Sequence, residues 1–239
     1  MSLLEETLAW FSDPAQWTGA SGIPWRLAQH IGYTALAVVA AAVVAIPLGL
    51  YIGHTGRWRN LAVFSTGALR ALPTLGLLTL LALQLGIGLS APIIALAVLC
   101  IPPLLAGIYA GLEAVDAATV DAARAQGMTE AHVILRVELP LAMPLILGGL
   151  RSAVLQVIAT ATVAAFIGVG GLGRYIIDGL AVSDTARVLG GALVVVVLAL
   201  VVDAVFAAAQ RLSAHLADPA ASTPNAPQTS RTPSKERPA

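Results

Sequence analysis

The sequence has few charged residues, few aromatic residues and a single cysteine. Asp, Glu, Lys and Arg make up 11% of the 239 residues, and Phe, Trp and Tyr make up 5%. A soluble domain is usually about 25% charged. Because Cys100 is the only cysteine and lies in an apolar run, no disulfide framework is predicted. The formal net charge of zero identifies no partner, and no nucleic-acid partner is predicted.

Motifs for nucleotide chemistry are missing as well. The only lysine, Lys235, lies in TPSKERPA, which lacks the glycines of a Walker A loop. The stretch GVGGLG at 168–173 satisfies G-x-G-x-x-G, but it follows a long apolar helix and belongs to no strand–turn–helix unit. We interpret these glycines as ending an apolar helix and turning the chain. A flexible re-entrant segment is the alternative.

The four histidines form no recognisable catalytic or metal site. His30, His54, His132 and His215 show no His-x-x-x-His spacing and no paired carboxylate in the sequence. We therefore predict no catalytic residue and no metal ligand, and we interpret each histidine as a solvated or interfacial side chain.

Long apolar runs dominate the rest of the chain. Residues 31–53, 71–112, 152–173 and 188–202 contain no Asp, Glu, Lys or Arg, and about 20 apolar residues suffice for a helix to cross a bilayer. The sequence therefore predicts an all-α membrane protein with about five transmembrane helices, or six if the long fourth span is broken. The predicted spans are residues 27–53, 72–89, 92–112, 141–168 and 187–209.

The arginines indicate how the spans are oriented. Arginines follow spans one, three and five, at residues 57–59, residues 124–136 and Arg211, whereas Arg26, Arg174 and Arg187 flank the opposite ends of the spans. Because Lys and Arg are enriched on the cytoplasmic side, the regions after spans one, three and five are predicted to face inward, from a moderate arginine bias. With five spans the N-terminus then lies outside and the C-terminus inside.

Three parts follow from this pattern. Residues 1–24, with leucines at helical spacing and tryptophans, are predicted to lie on the membrane surface. Residues 25–209 form the transmembrane domain. Residues 210–239, rich in Pro, Ser and Thr, are predicted to be a disordered cytoplasmic tail.

A polar elbow at residues 113–140 interrupts the apolar pattern. Residues 113–126 are rich in alanine and predict one short helix, which Gly127 would end. Thr129 is the predicted N-cap of a second helix, and Pro140 is expected to help stop it. On this local chemistry alone, an ordinary cytoplasmic loop fits equally well.

The elbow resembles the EAA loop of ATP-binding-cassette importer permeases. That pattern is E-A-A, three residues, Gly, nine residues, an aliphatic residue, one residue and Leu-Pro. This chain has Asp121-Ala122-Ala123, then Gly127, Val137 and Leu139-Pro140 at the same spacing, with Asp for Glu and Val for the usual Ile. The resemblance covers about residues 25–209. The stretches at 69–78 and 164–180 look like the osmoprotectant branch.

This resemblance implies a type I importer permease fold in a multi-pass protein of the bacterial cytoplasmic (inner) membrane. It also implies a cytoplasmic ATP-binding subunit that docks on the elbow and uses ATP, while this chain binds no cofactor. An extracytoplasmic substrate-binding protein and a second permease, identical or a sister chain, complete the implied assembly. The elbow residues implied to couple to the ATPase are Asp121, Ala122, Ala123, Gly127, Val137, Leu139 and Pro140.

Polar side chains in and after the fourth span are candidates for the substrate path. Gln156, Thr160 and Thr162 are the few polar groups of that span, although helix–helix hydrogen bonding explains them as well. Tyr175 and Asp178 could meet a cationic substrate by cation–π or charge attraction, or could be ordinary surface residues. Asp203 could pair with Arg151 or Arg211, or could reach the inner lipid headgroups; a structural pairing is favoured over a transport role.

The leading hypothesis is the permease subunit of an importer for quaternary-amine osmoprotectants such as glycine betaine or choline. An importer of another small solute, such as methionine, is one alternative. An ion-coupled secondary transporter is another, but it would need ionisable groups near the membrane midplane and usually inverted repeats. A membrane enzyme would need an active site, for which the sequence offers no candidate.

Overall fold

The computed structural model describes residues 2–70 and 72–217, and in these residues it contains helices and no strand. The first half comprises α1 (Leu3–Ser12), a 3-10 turn (Pro14–Trp17), α2 (Ile23–Thr55), α3 (Arg59–Arg70), α4 (Thr74–Leu85) and α5 (Ser90–Glu113). The second half comprises α6 (Ala117–Ala125), α7 (Glu130–Val133), a π-helical segment (Ile134–Glu138), α8 (Leu139–Ala164), a 3-10 turn (Ala165–Ile167), α9 (Gly173–Ala181) and α10 (Thr185–Ala217). The predicted all-α class is confirmed.

The helices long and apolar enough to cross a membrane number four in the described chain, or five if a bent pair counts as one span. The four are α2, α5, the run from Glu130 to Ile167, and α10. The bent pair is α3 with α4, which meet at 86°. The prediction of about five spans is therefore confirmed in number.

The second span differs from its predicted form. Instead of a straight helix over 72–89, α4 has 12 residues, or about 18 Å at the α-helical rise. It begins after Pro73 and ends at Gly86, whose φ of +83° is left-handed. A hydrocarbon core is about 30 Å thick, so α4 alone is too short to cross it.

Small residues set the packing of the transmembrane helices. α5 lies between α2 and α8. The alanines that α2 buries completely, Ala37, Ala41 and Ala45, recur every fourth residue and belong to the main core together with residues of α5 and α8. Where α5 crosses α8, Gly107 and Gly149 face each other backbone to backbone. This close approach is typical of helices packed within a bilayer.

The bundle has two distinct ends. At one end the last turn of α2 meets the elbow, since His54 contacts Glu130 and Glu138. At the other end Trp10 of α1 packs edge-on against Tyr175 of α9 and lies over Gly190 of α10.

The terminal segments only partly match their predicted boundaries. Within residues 1–24, Leu4 and Leu8 of α1 are exposed, and α1 packs on α10. α10 continues to Ala217, past the predicted end near residue 209. The predicted tail otherwise lies outside the described residues.

Candidate functional site

The elbow consists of two short helices joined at a glycine. α6 begins at Ala117 because Asp116 caps it, accepting a hydrogen bond from the backbone N–H of Ala118 at 3.0 Å. The predicted helix over 113–126 is therefore wrong at its start: α5 continues to Glu113 and a turn intervenes. An aspartate is a better cap than an interior helical residue, which explains the shift.

The turn between the two helices has the predicted chemistry. Gly127 has a φ of +83°, and its N–H donates to the carbonyl of Arg124 at 2.9 Å. Thr129 caps α7 by accepting a hydrogen bond from the backbone N–H of His132 at 3.4 Å. Both local predictions, the glycine helix end and the threonine cap, are confirmed.

Pro140 does not stop the second helix of the elbow. α7 continues through the π-helical segment Ile134–Glu138 into α8, and Pro140 lies in the first turn of α8. In the π segment the backbone N–H of Leu139 donates to the carbonyl of Ile134, five residues back. This wider turn accommodates a residue that has no N–H. The expectation that Pro140 helps end the helix is wrong.

The surface of the elbow carries an open groove of about 470 Å³ that is lined by elbow residues. Its lining consists of Ala118, Thr119, Ala122, Ala123, Gln126, Met128 and Val137. Three residues of the recognised motif, Ala122, Ala123 and Val137, therefore share one surface. Of the others, Gly127 forms the turn, Asp121 hydrogen-bonds Arg124 at 3.3 Å, and Leu139 and Pro140 open α8.

The two elbow helices are held together by a small core and by an ion pair. Val120, Ala123 and Val133 are buried between them. Arg124 of α6 lies 3.1 Å from Glu130 of α7. The hydrogen bonds that Arg124 donates to the Glu130 carboxylate raise the pKa of the Arg124 guanidinium. The elbow is thus a compact unit with its own packing.

His54 joins this unit to the membrane bundle. Its Nδ1 lies 2.7 Å from Glu138 and its Nε2 lies 3.0 Å from Glu130. The interpretation of His54 as a solvated or interfacial side chain is wrong, because only 11% of the side chain is exposed. The residues that it meets lie 76 and 84 positions along the chain (130 − 54 and 138 − 54), so no local sequence pattern signals the contact.

The glycine stretch 168–173 turns the chain at the opposite end. Gly168 and Gly171 have φ values of +88° and +90° after the 3-10 turn that follows α8. The N–H of Gly171 donates to the side chain of Gln29 at 3.1 Å. The interpretation of these glycines as ending the fourth span and turning the chain is confirmed.

His30 lies under the same stretch. Its side chain is buried, and its Nε2 lies 3.0 Å from the carbonyl oxygen of Ile158 on α8. The sequence interpretation of His30 as solvated or interfacial is therefore wrong. The short distance between Gly171 and His30 leaves little room for a side chain at position 171.

The polar residues of α8 use their hydrogen bonds inside the protein. Gln156 donates from its Nε2 to the carbonyl of Leu99 on α5 at 2.8 Å. The hydroxyls of Thr160 and Thr162 donate to carbonyls one turn earlier in α8. These contacts are helix–helix and intrahelical bonds, and a place for the three residues on a substrate path stays a prediction.

Tyr175 and Asp178 are engaged as well. The Tyr175 hydroxyl donates to the carbonyl of Ser21, and the Arg187 guanidinium lies 5.9 Å from the centre of its ring. Asp178 pairs with both Arg174 and Arg187. Arginine side chains of the protein thus already contact the Tyr175 ring and the Asp178 carboxylate, the two groups predicted to meet a cationic substrate. The substrate role of these two residues stays a prediction.

Asp203 pairs with Arg151, as expected for one of its two predicted partners. Two hydrogen bonds of 2.6 and 2.7 Å join the guanidinium on α8 to the carboxylate on α10. The Arg151 guanidinium also donates a 3.2 Å hydrogen bond to the side-chain amide oxygen of Gln210. A bidentate pair of this kind ties two spans together in a setting where an unpaired charge is costly.

We expect Asp203→Leu to lower the thermal unfolding midpoint in detergent more than the double variant Arg151→Met/Asp203→Leu does. The single variant leaves the guanidinium without its carboxylate, whereas the double variant removes both charges. Equal midpoints for the two variants would show that the pair contributes nothing through its charge.

Comparison with known proteins identifies the class of this chain. The family described as binding-protein-dependent transport system inner membrane component matches residues 45–214. The chain belongs to this family of permeases, and it is a multi-pass protein of the bacterial inner membrane.

Three relatives illustrate the similarity. The choline transport system permease protein OpuBB of Bacillus subtilis is 34% identical over 194 residues, which cover 81% of this chain and 89% of that protein. The carnitine transport permease protein OpuCD of Listeria monocytogenes is 34% identical and covers 75% and 79% of the respective chains. The osmoprotectant import permease protein OsmW of Salmonella typhimurium is 33% identical and covers 73% and 84%.

Solved structures share the fold. An inward-facing form of the MetNI methionine ABC transporter superposes with a TM-score of 0.69 at 20% identity, covering 84% of this chain and 98% of that chain. An amino acid ABC transporter with histidines gives a TM-score of 0.58 at 24% identity, covering 78% and 89%. The type I importer permease fold is therefore confirmed.

Proposed function

We propose that this chain is the permease subunit of an ATP-driven, binding-protein-dependent importer of quaternary-amine osmoprotectants. The relatives at 33–34% identity carry names that specify choline, carnitine and osmoprotectant transport. The methionine importer is similar in fold at 20% identity, which supports the quaternary-amine reading over the methionine alternative.

One observation carries the mechanistic part of the proposal: the capped two-helix elbow presents a small-residue groove of about 470 Å³. A separate ATP-binding subunit docks there and hydrolyses ATP, since the sequence of this chain has no Walker A loop. Closure of the ATPase pushes on the elbow, and the spans change between inward-open and outward-open states.

The proposed assembly contains two permeases, because each of two ATPase subunits needs its own elbow. An extracytoplasmic binding protein delivers the substrate. The aromatic cage that would recognise a quaternary amine belongs to that protein, because Phe, Trp and Tyr make up only 5% of this chain.

Uptake by the reconstituted system tests the proposal. The chain is combined in proteoliposomes with its ATPase and binding protein, and uptake of labelled choline and glycine betaine is measured with labelled methionine as the comparison. We expect ATP-dependent uptake of the two quaternary amines. Uptake of methionine alone would support the alternative importer. Uptake that persists without ATP under an ion gradient would support a secondary transporter.

Cysteine crosslinking tests where the ATPase docks. Cys100 is the only cysteine, so Cys100→Ser provides a background without thiols. We expect Gln126→Cys in the groove to crosslink to single cysteines on the ATPase surface, because position 126 lines the groove. Leu4→Cys, on the exposed face of α1, is the matched control. Crosslinks from position 4 but not from position 126 would contradict docking on the elbow.

A further inference from the structure

His54 lies where the membrane bundle meets both parts of the second elbow helix. It belongs to the last turn of α2. One ring nitrogen is 3.0 Å from Glu130, the first residue of α7, and the other is 2.7 Å from Glu138, the last residue of the π-helical segment. A single side chain therefore connects α2 to the start and to the end of that helix.

Both contacts join an imidazole nitrogen to a carboxylate oxygen, an arrangement in which an imidazole N–H donates and the carboxylate accepts. The contact between Nδ1 and Glu138 is the shorter of the two, and both of its side chains are largely buried. Glu138 is only 5% exposed, so little water is available to replace the histidine as a hydrogen-bond partner of this carboxylate.

Charged groups on every neighbouring element surround the bridge. A polar cleft of about 190 Å³ beside it is lined by Glu113 of α5 and by Asp121 and Arg124 of α6, together with His54 and Glu138. Glu130 is also bound by Arg124 at 3.1 Å. Glu113 is paired with Arg59 of α3 at 3.4 Å. Contacts therefore run continuously from α2 through His54 and Glu130 to α6.

The bridge lies beside the least regular part of the elbow. The π-helical segment Ile134–Glu138 separates α7 from α8, and such segments commonly mark functional irregularities in helices. α2, in contrast, is packed closely on α5, because a Cβ at Gly53 would lie 2.8 Å from the Cβ of Leu112. The bridge thus joins a firmly packed helix pair to a segment with irregular hydrogen bonding.

We propose that His54 is a positioning residue for energy coupling: its bridge to Glu130 and Glu138 fixes the angle of the elbow relative to the α2–α5 pair. A push on the elbow then moves the spans instead of bending the chain at the π-helical segment. This role rests on the proposed function, in which the ATPase pushes on the elbow.

The first test measures the elbow angle without transport. In the Cys100→Ser background, spin labels at Gln126→Cys on the elbow and Arg57→Cys after α2 report the distance between the two parts. We expect a narrow distance distribution for the parent chain and a broad one for His54→Ala. Because His54→Ala leaves the buried Glu138 unpaired and could prevent folding, His54→Ala/Glu138→Gln is measured alongside it. A narrow distribution in the folded double variant would overturn the proposal.

His132→Ala is the matched control. His132 also lies in the elbow, but its ring contacts Thr129 within the same turn and bridges to no membrane helix in the described contacts. We expect His132→Ala to keep the narrow distribution of the parent chain. Broadening in this variant equal to that in the double variant would also contradict a specific role of His54.

The second test measures substrate transported per ATP hydrolysed in the complete transporter. We expect the double variant to assemble with the ATPase and hydrolyse ATP, while this ratio falls about tenfold, the scale of one lost hydrogen bond. A purely structural role would reduce transport and hydrolysis together and leave the ratio unchanged, which would overturn the proposal. Absence of ATP-dependent uptake by the parent chain would instead refute the proposed function, and the distance measurement would still decide the role of His54.

Discussion

Exchange of Gly127 for valine is expected to lower transport and substrate-stimulated ATP hydrolysis about tenfold while the protein still inserts into the membrane. Gly127 has a φ of +83°, and the left-handed region costs an L-residue about 1–2 kcal/mol, with β-branched residues affected most. A strain of this size corresponds to about a tenfold change in the population of the required conformation. The measurement is uptake and ATPase rate in proteoliposomes at equal amounts of inserted protein.

The matched control for this variant is Gly127→Asn. Asparagine tolerates the left-handed conformation better than valine does, and a Cβ at this position meets no atom within 4 Å. Valine therefore acts only through the backbone, and asparagine is expected to retain most of the activity. Loss of activity in both variants would indicate that the surface at position 127, not its conformation, matters. Full ATPase stimulation in the valine variant would contradict transmission through a rigid elbow.

Local chemistry is sufficient to predict the elbow turn. A glycine followed two residues later by a threonine cap depends only on neighbouring backbone groups, and the structure places Gly127 and Thr129 in those roles. Apolar runs likewise predict the long helices, because a span needs length and composition alone. These features are correct for the same reason: the determining interactions lie within a few residues.

The features that sequence analysis missed depend on distant or competing contacts. The bridge from His54 to Glu130 and Glu138 forms only when α2 and the elbow meet in three dimensions. Pro140 is expected to stop a helix, yet the π-helical turn before it removes the conflict. The break between α3 and α4 falls between Arg70 and Thr74, where the apolar run begins. The early end of α4 at Gly86, in contrast, lies inside that run, so hydropathy alone could not locate it.

The second large effect is expected at the crossing of α5 and α8. A Cβ at Gly149 would lie 2.6 Å from the Cα of Gly107 and 3.0 Å from the carbonyl oxygen of Pro103. Both obstructing atoms belong to the backbone of α5, so no side-chain rotation can relieve the overlap. We expect Gly149→Ala to lower the stability by about 1–3 kcal/mol, as overpacking does in well-packed cores, and Gly149→Leu to lower it further. The measurement is the thermal unfolding midpoint in detergent together with the yield of monodisperse protein.

Gly32→Ala is the matched control for the crossing. Gly32 lies within α2, and a Cβ there meets no atom within 4 Å, so alanine should leave the stability unchanged or raise it through its higher helix propensity. The contrast isolates the backbone contact, because both substitutions add one methyl group to a glycine in a transmembrane helix. Unfolding midpoints that agree between Gly149→Ala and Gly32→Ala would mean that α5 and α8 do not approach as closely as Gly107 and Gly149 permit. A loss of stability at Gly149→Ala that grows at Gly149→Leu, with no loss at Gly32→Ala, would support the contact. It would show that the contact between Gly107 and Gly149 sets the spacing of α5 and α8, the two helices that flank the elbow.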